Sequence, residues 1–142
     1  MIAGPIRCLA GATIAGATTP NTANTNAVPV YGAEQVDFHL KSSVGANMNA
    51  EAAIHVSQDG TNWLTGSGQQ ISIRNGTASG FNPLNGIAVS FAPANGLRFA
   101  YKYARLVITG SNSAGQDITG LNVDAYVHSN DGIAKNIAQP LA

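Results

Sequence analysis

The sequence predicts an all-β protein: an antiparallel β-sandwich, jelly-roll-like, forming a single domain with extended N- and C-terminal arms. Three observations predict it. Apolar and polar residues alternate with period two through six separate segments. The breaks between segments are Gly, Asn, Asp and Pro clusters, the residues that turns require. No stretch of about ten residues or more carries an apolar stripe at helical spacing. Several short strands separated by turn signals fit a sandwich or jelly roll.

The segments follow in order. Residues 1–30 hold Ala, Thr, Asn and Gly with Pro20 and Pro29, show no sustained period, and are expected to form an extended arm. The sandwich is expected over 31–128. Val36, Phe38 and Leu40 alternate with Asp37, His39 and Lys41; Ile54 and Val56 alternate with His55 and Ser57. Ile71 and Ile73 flank Ser72, and Ile87, Val89 and Phe91 alternate with Ala88 and Ser90. In "FAYKYARLVITG", Tyr101, Tyr103, Arg105 and Val107 share one side, and Lys102, Ala104, Leu106 and Ile108 the other. Leu121, Val123, Ala125 and Val127 alternate with Asn122, Asp124, Tyr126 and His128. Each set places one strand face inward and the other outward. Asp59-Gly60 and Asn75-Gly76 are dipeptides favoured in two-residue hairpin turns. Residues 129–142 are expected to be a C-terminal tail.

The totals narrow the function. A chain of 142 residues suits one domain with a core of its own. The single cysteine, Cys8, precludes an intrachain disulfide and has no neighbouring basic cluster to activate it. Seven Lys and Arg balance seven Asp and Glu, and only 10% of residues are charged. A nucleic-acid partner calls for a basic surplus, and none is present. No apolar run reaches the ~18 residues of a membrane span, and Arg7 interrupts the mildly apolar start where a signal peptide would be continuous. So few charges fit equally a surface covered by partners, since a free one would be poorly protected against association, and a β protein coated with Ser, Thr and Asn.

Candidate sites reduce to structural ones. In "SQDGTNW", Asp59 and Gly60 are expected to turn the chain, with Trp63 falling back as a plug in the core. As a buried plug, Trp63 would cost about 3–5 kcal/mol on truncation to alanine. His39, His55 and His128 lie on polar strand faces without metal-ligand spacing, and Glu34 and Glu51 form no evident acid–base pair. No catalytic residue, metal ligand or cofactor is expected. Tyr101, Tyr103 and Tyr126, with Pro20 and Pro29 of the arm, are the candidate interface residues.

"IHVSQDGTNW" followed by "YKYARLVITGSNSAGQDITGLNVDAYV" resembles small virion proteins of tailed bacteriophages. The resemblance covers Val36 to His128 and rests on a V-S-x-D-G-T-N-W strand end and a Y-x-R-L-x-I-T-G strand. It implies structural roles for Asp59, Gly60, Trp63, Tyr103, Arg105 and Leu106. It also implies a non-enzymatic capsid decoration (cement) protein on the outer surface of the virion. The partners would be the major capsid protein and further copies of this chain, in a closed oligomer such as a trimer. Three alternatives stay open: a tail or fibre component, a carbohydrate-binding module using Trp63 or the tyrosines, and, last, an enzyme whose turnover would depend on His55 or Asp59.

Overall fold

The computed structural model describes residues 2–16, 21–43, 49–65, 73–74, 77–81, 83–93, 98–111 and 117–129. Among them the strands are β1 (Ile2–Ile14), β2 (Asn21–Asn24), β3 (Val28–Pro29), β4 (Gln35–Lys41), β5 (Asn49–Ser57), β6 (Leu64–Thr65), β7 (Ile73–Arg74), β8 (Thr77–Phe81), β9 (Ile87–Pro93), β10 (Tyr103–Ser111) and β11 (Ile118–His128). One 3-10 turn spans Pro83–Asn85.

The strands form two sheets, and every pairing is antiparallel. The first runs β1-β11-β4-β9-β7. In the second, β2 and β3 flank one side of β10, β5 flanks the other, and β6 and β8 lie beyond β5. The first and last strands are neighbours, and the chain crosses between sheets from β1 to β2, β3 to β4, β4 to β5, and at every step from β6 to β11. This is a jelly roll.

The period-two pattern sets what is buried. Val36, Phe38 and Leu40 of β4 face Ala52, Ile54 and Val56 of β5 and Ala104, Leu106 and Ile108 of β10 within one core. β11 adds Leu121, Val123, Ala125 and Val127, all fully buried. Phe38 and Phe91 meet edge to face, with ring centroids 6.1 Å apart. β10 turns Ala104, Leu106 and Ile108 inward, leaving Tyr103, Arg105, Val107 and Thr109 on the solvent face.

The expected N-terminal arm is corrected. Residues 2–14 form β1, which pairs with β11 from Ile2↔His128 to Ile14↔Ile118. Cys8 and Ile14 belong to the core. Four register shifts interrupt the pairing, so the inward residues of β1 do not alternate and the strand shows no period two. Gly4 (φ +135°) runs so close to β11 that a Cβ there would lie 2.6 Å from the Ala125 carbonyl oxygen. Asn21–Asn24 pair with Val107–Gly110, and Val28–Pro29 pair with Tyr103–Ala104. Proline is tolerated there because these strands lie at the sheet edge. Between them the buried Thr25 replaces a stretch of ladder: its N–H donates to the Leu106 carbonyl (2.9 Å) and its Oγ1 accepts from the Leu106 N–H (2.9 Å). Pro20, Ile71, Ser72, Asn75-Gly76 and residues 130–142 of the expected tail lie outside the described residues.

Candidate functional site

Two outward faces carry the polar chemistry. The first belongs to the β10–β5 sheet, where β10 and β5 pair over nine residues and bring Tyr103 opposite Ser57 and Arg105 opposite His55. The β5–β6 connection closes over this face.

That connection is longer than the two-residue turn expected from Asp59-Gly60, because ladder pairing stops at Val56↔Leu64. Asp59 organises what lies between. Its Oδ1 accepts from the Thr61 N–H (2.8 Å), the Asn62 N–H (2.8 Å) and the Ser57 hydroxyl (2.9 Å). Its Oδ2 accepts from Asn62 Nδ2 (2.7 Å). The Ser57 Oγ in turn accepts from the Gly60 N–H (2.9 Å). Hydrogen bonds from the Asn62 and Thr61 amides, then from the Asn62 and Ser57 side chains, hold the Asp59 carboxyl well below the usual carboxylate range. Gly60 has φ +77° and sits over the Tyr103 ring. Gln58 ties the loop to the start of β10, accepting from the Lys102 N–H (3.3 Å) and donating to the Ala100 carbonyl (3.4 Å). These contacts commit Asp59 to the loop.

Trp63 does not plug the core. It is half-buried on the outer face, with the Arg105 guanidinium 4.5 Å from its ring centroid. The inward positions nearest to it are already filled by Ile54, Val56, Ala104 and Leu106. Arg105 Nε is shielded from solvent and has no hydrogen-bond partner, and burial lowers the Arg105 pKa. Burial, and then the Arg105 charge, lower the pKa of His55.

The second face belongs to the β1-β11-β4-β9 sheet. Arg7 holds Asp124 through two hydrogen bonds, at 2.5 and 3.1 Å. His128 Nε2 lies 2.6 Å from Asp37 Oδ2, and Gln35 Nε2 donates to Asp37 Oδ1 at 2.7 Å. Burial raises the Asp37 pKa, but hydrogen bonds from Ser90 and Gln35 and the nearby His128 lower it further, and the balance is downward. Ser90 and His128 both converge on Asp37. A shallow groove of about 440 Å³ runs past Arg7, His39, Lys41, Asn122 and Asp124.

The candidate interface tyrosines do not form one stripe. Tyr101 packs against the core before β10 begins. Tyr103 lies under the Gly60 corner on one sheet, and Tyr126 packs against His39 on the other, with ring centroids 4.7 Å apart. Pro29 is half-buried opposite Tyr103. His39 and His128 share a face that His55 does not, and no group of three or more metal-ligating side chains assembles among the described residues. The cluster of Trp63, Arg105 and His55 was not anticipated as a site. Its sequence signal is the outward Arg105 in β10 combined with an aromatic at the end of the neighbouring hairpin loop.

No protein-family model matches the sequence, and no curated protein is similar to it. Solved structures are similar in fold. The chain matches VP2 of the infectious bursal disease virus subviral particle with a TM-score of 0.53 and 11% identity, over 98% of this chain and 34% of that one. A structure of the infectious bursal disease virus Gt strain gives a TM-score of 0.49 at 11% identity, over 92% of this chain and 32% of that one. TmCBM61, solved with β-1,4-galactotriose, gives a TM-score of 0.42 at 11% identity, over 82% of this chain and 68% of that one. The chain thus spans about a third of the length of the viral proteins it matches. The molecule is an all-β jelly-roll sandwich, similar in fold to VP2 of the infectious bursal disease virus subviral particle.

Proposed function

We propose that this protein is a non-enzymatic structural component of a virion: a capsid decoration protein of a tailed bacteriophage that bridges major capsid subunits on the outer surface of the head, as a closed homo-oligomer. One observation carries the reading. The two segments with the phage resemblance, Ile54–Trp63 and Tyr101–Val127, are far apart in sequence. Yet β5 and β10 are hydrogen-bonded neighbours over nine residue pairs, and Trp63, Tyr103 and Arg105 meet on their outer face. The loop end of the first segment and the start of the second therefore present Trp63, Tyr103 and Arg105 on one surface, while the alternating strand that ends the resemblance, β11, lies in the other sheet.

The chemistry of that surface supports the reading. Tyr103, Val107, Ala53 and Trp63 are partly exposed beside few charges. Contacts made by apolar and aromatic groups desolvate less charge than ionic contacts do. Trp, Tyr and Arg are also the residue types that dominate interface energetics.

The test is co-sedimentation of the full chain with heads and, separately, tails purified from the phage whose genome carries this sequence. Saturable binding to heads is expected. Binding to tails or assembly into tubes would move the protein to the tail. No particle binding, together with glycan retention lost in a folded Trp63→Ala chain, would make it a carbohydrate-binding module.

A further inference from the structure

Among the described residues two arginines and one histidine form ion pairs. Arg7 pairs with Asp124, Arg98 with Glu34 at 4.0 Å, and His128 with Asp37. Arg105 forms none, and unlike the exposed Lys41 and Lys102, which also form none, it is drawn in from solvent. It stands in the middle of β10, half-buried, with a solvent-shielded Nε that donates to nothing. Six of the seven carboxylates of the chain, all but Asp131, belong to the described residues, and none of those six forms an ion pair with Arg105. A buried donor without an acceptor is destabilising; the shielded Nε is out of reach of an outside group, so a partner carboxylate would meet the Nη end of the guanidinium, which can still offer two-point contact.

The surroundings specify the kind of acceptor. Trp63 lies against the guanidinium, Tyr103 and Val107 flank it along β10, and His55 faces it across the ladder. One arginine on a face shared with Trp63, Tyr103, Val107 and His55 suits one carboxylate on a protein surface. A phosphate-rich polymer would require several cations. We propose that the Arg105–Trp63–Tyr103 face docks an acidic segment of a partner protein subunit, Arg105 receiving a partner carboxylate while Trp63 and Tyr103 form the apolar walls. Only the identity of the partner, a capsid subunit, rests on the function proposed above.

Trp63 is the only tryptophan in the chain, so its fluorescence reports on this face alone. The full chain is titrated with poly-L-glutamate at low salt, beside Arg105→Gln, Arg105→Lys and, on the opposite sheet, Lys41→Gln. Thermal melts confirm that each variant is folded. The expected result is a saturable change in emission that is weaker by about tenfold or more in Arg105→Gln. Arg105→Lys retains part of the response and Lys41→Gln all of it. No response from the wild-type chain, an undiminished response from Arg105→Gln, or a response to polygalacturonate alone overturns the proposal. Head co-sedimentation separates the two readings. Head binding without a polyglutamate response removes this site and leaves the decoration role. A polyglutamate response in a chain that ignores heads keeps the site and removes that role.

Discussion

The Arg105 guanidinium lies 4.5 Å from the centroid of the Trp63 ring, on the solvent side of a strand whose other side buries Ala104, Leu106 and Ile108. A tryptophan in that position adds a cation–π contact and covers surface, but fills no cavity when present and leaves none when removed. Trp63→Ala is therefore expected to cost about 1–2 kcal/mol, the scale of a partly desolvated cation–π contact. Phe38→Ala, which empties a fully buried site against Phe91, is expected to cost about 3–5 kcal/mol. Chemical denaturation of the two variants checks this ordering, and a Trp63→Ala cost equal to that of Phe38→Ala would return Trp63 to the core.

Asp59 is the organising residue of the β5–β6 connection, and its ionised form accepts every bond described above. Its carboxyl pKa is lowered on folding, so the unfolded chain binds the proton first as pH falls. The stabilisation is complete above the ordinary carboxylate range and is withdrawn as pH drops through the folded value. Asp59→Ala should lower the melting temperature at neutral pH, and the gap to wild type should narrow below about pH 4. Melting curves between neutral and acid pH measure both. A gap independent of pH would mean that the loop does not depend on the charge.

The central strands were legible in the sequence because both of their faces have work to do. Val36-Phe38-Leu40 and Leu121-Val123-Ala125-Val127 alternate because one side must be dry and the other wet, and each of these residues is buried. The first 30 residues were not legible. β1 is an edge strand with four register shifts, so its inward residues fall out of period. β2 and β3 are four and two residues long, too short to show a period. At the site, the sequence showed that Asp59-Gly60 turns and that Arg105 shares a face with Tyr103. It did not show that Trp63 stays outside, because whether an aromatic after a turn folds inward depends on the space left by strands remote in sequence.

Cys8 lies in β1 at 1% exposure, its Sγ 3.4 Å from the Val123 carbonyl oxygen that it can donate to. Burial pushes its thiol up to about 11, against a smaller opposing effect of its hydrogen bonds. At about pH 8.5, where an ordinary cysteine is half ionised, Cys8 in the folded chain is expected to resist iodoacetamide and to react only as fast as the protein opens. Mass spectrometry of labelling with and without denaturant decides the matter. Rapid native labelling would place β1 away from the core.

His55 faces Arg105 across the ladder, and its pKa is lowered by burial first and by the Arg105 charge second. A histidine shifted this way is neutral in the folded chain while the unfolded chain already takes up a proton. Stability therefore falls as pH drops from the ordinary histidine value of 6.5 toward the folded one, and is flat below it. Arg105→Gln removes the second cause and leaves the first. The His55 titration, followed by NMR, should move upward while staying below the ordinary value. An unchanged titration would mean that burial alone sets it.

The strongest consequence of the topology concerns β1. Removing residues 1–16 from a flexible arm would leave the sandwich intact. Here it strips β11 of its ladder partner from Ile118 to His128, removes Cys8 and Ile14 from the core, and deprives the Asn26 N–H of its acceptor, the Cys8 carbonyl at 2.8 Å. Ile14→Ala alone should cost about 2–5 kcal/mol, a large part of the ~5–15 kcal/mol that typically holds a domain folded. The truncated chain is therefore expected to lose cooperative thermal unfolding and to associate through the exposed edge of β11, whereas Ile14→Ala should still melt in one transition at a lower temperature. Calorimetry and size-exclusion chromatography of the two proteins test this. A truncated chain that stayed monomeric and melted cooperatively would show that β1 is dispensable to the sandwich. Otherwise, loss of head binding on truncation reports an unfolded domain rather than a missing contact, and the particle-binding surface has to be mapped by point substitutions on the Trp63–Arg105 face.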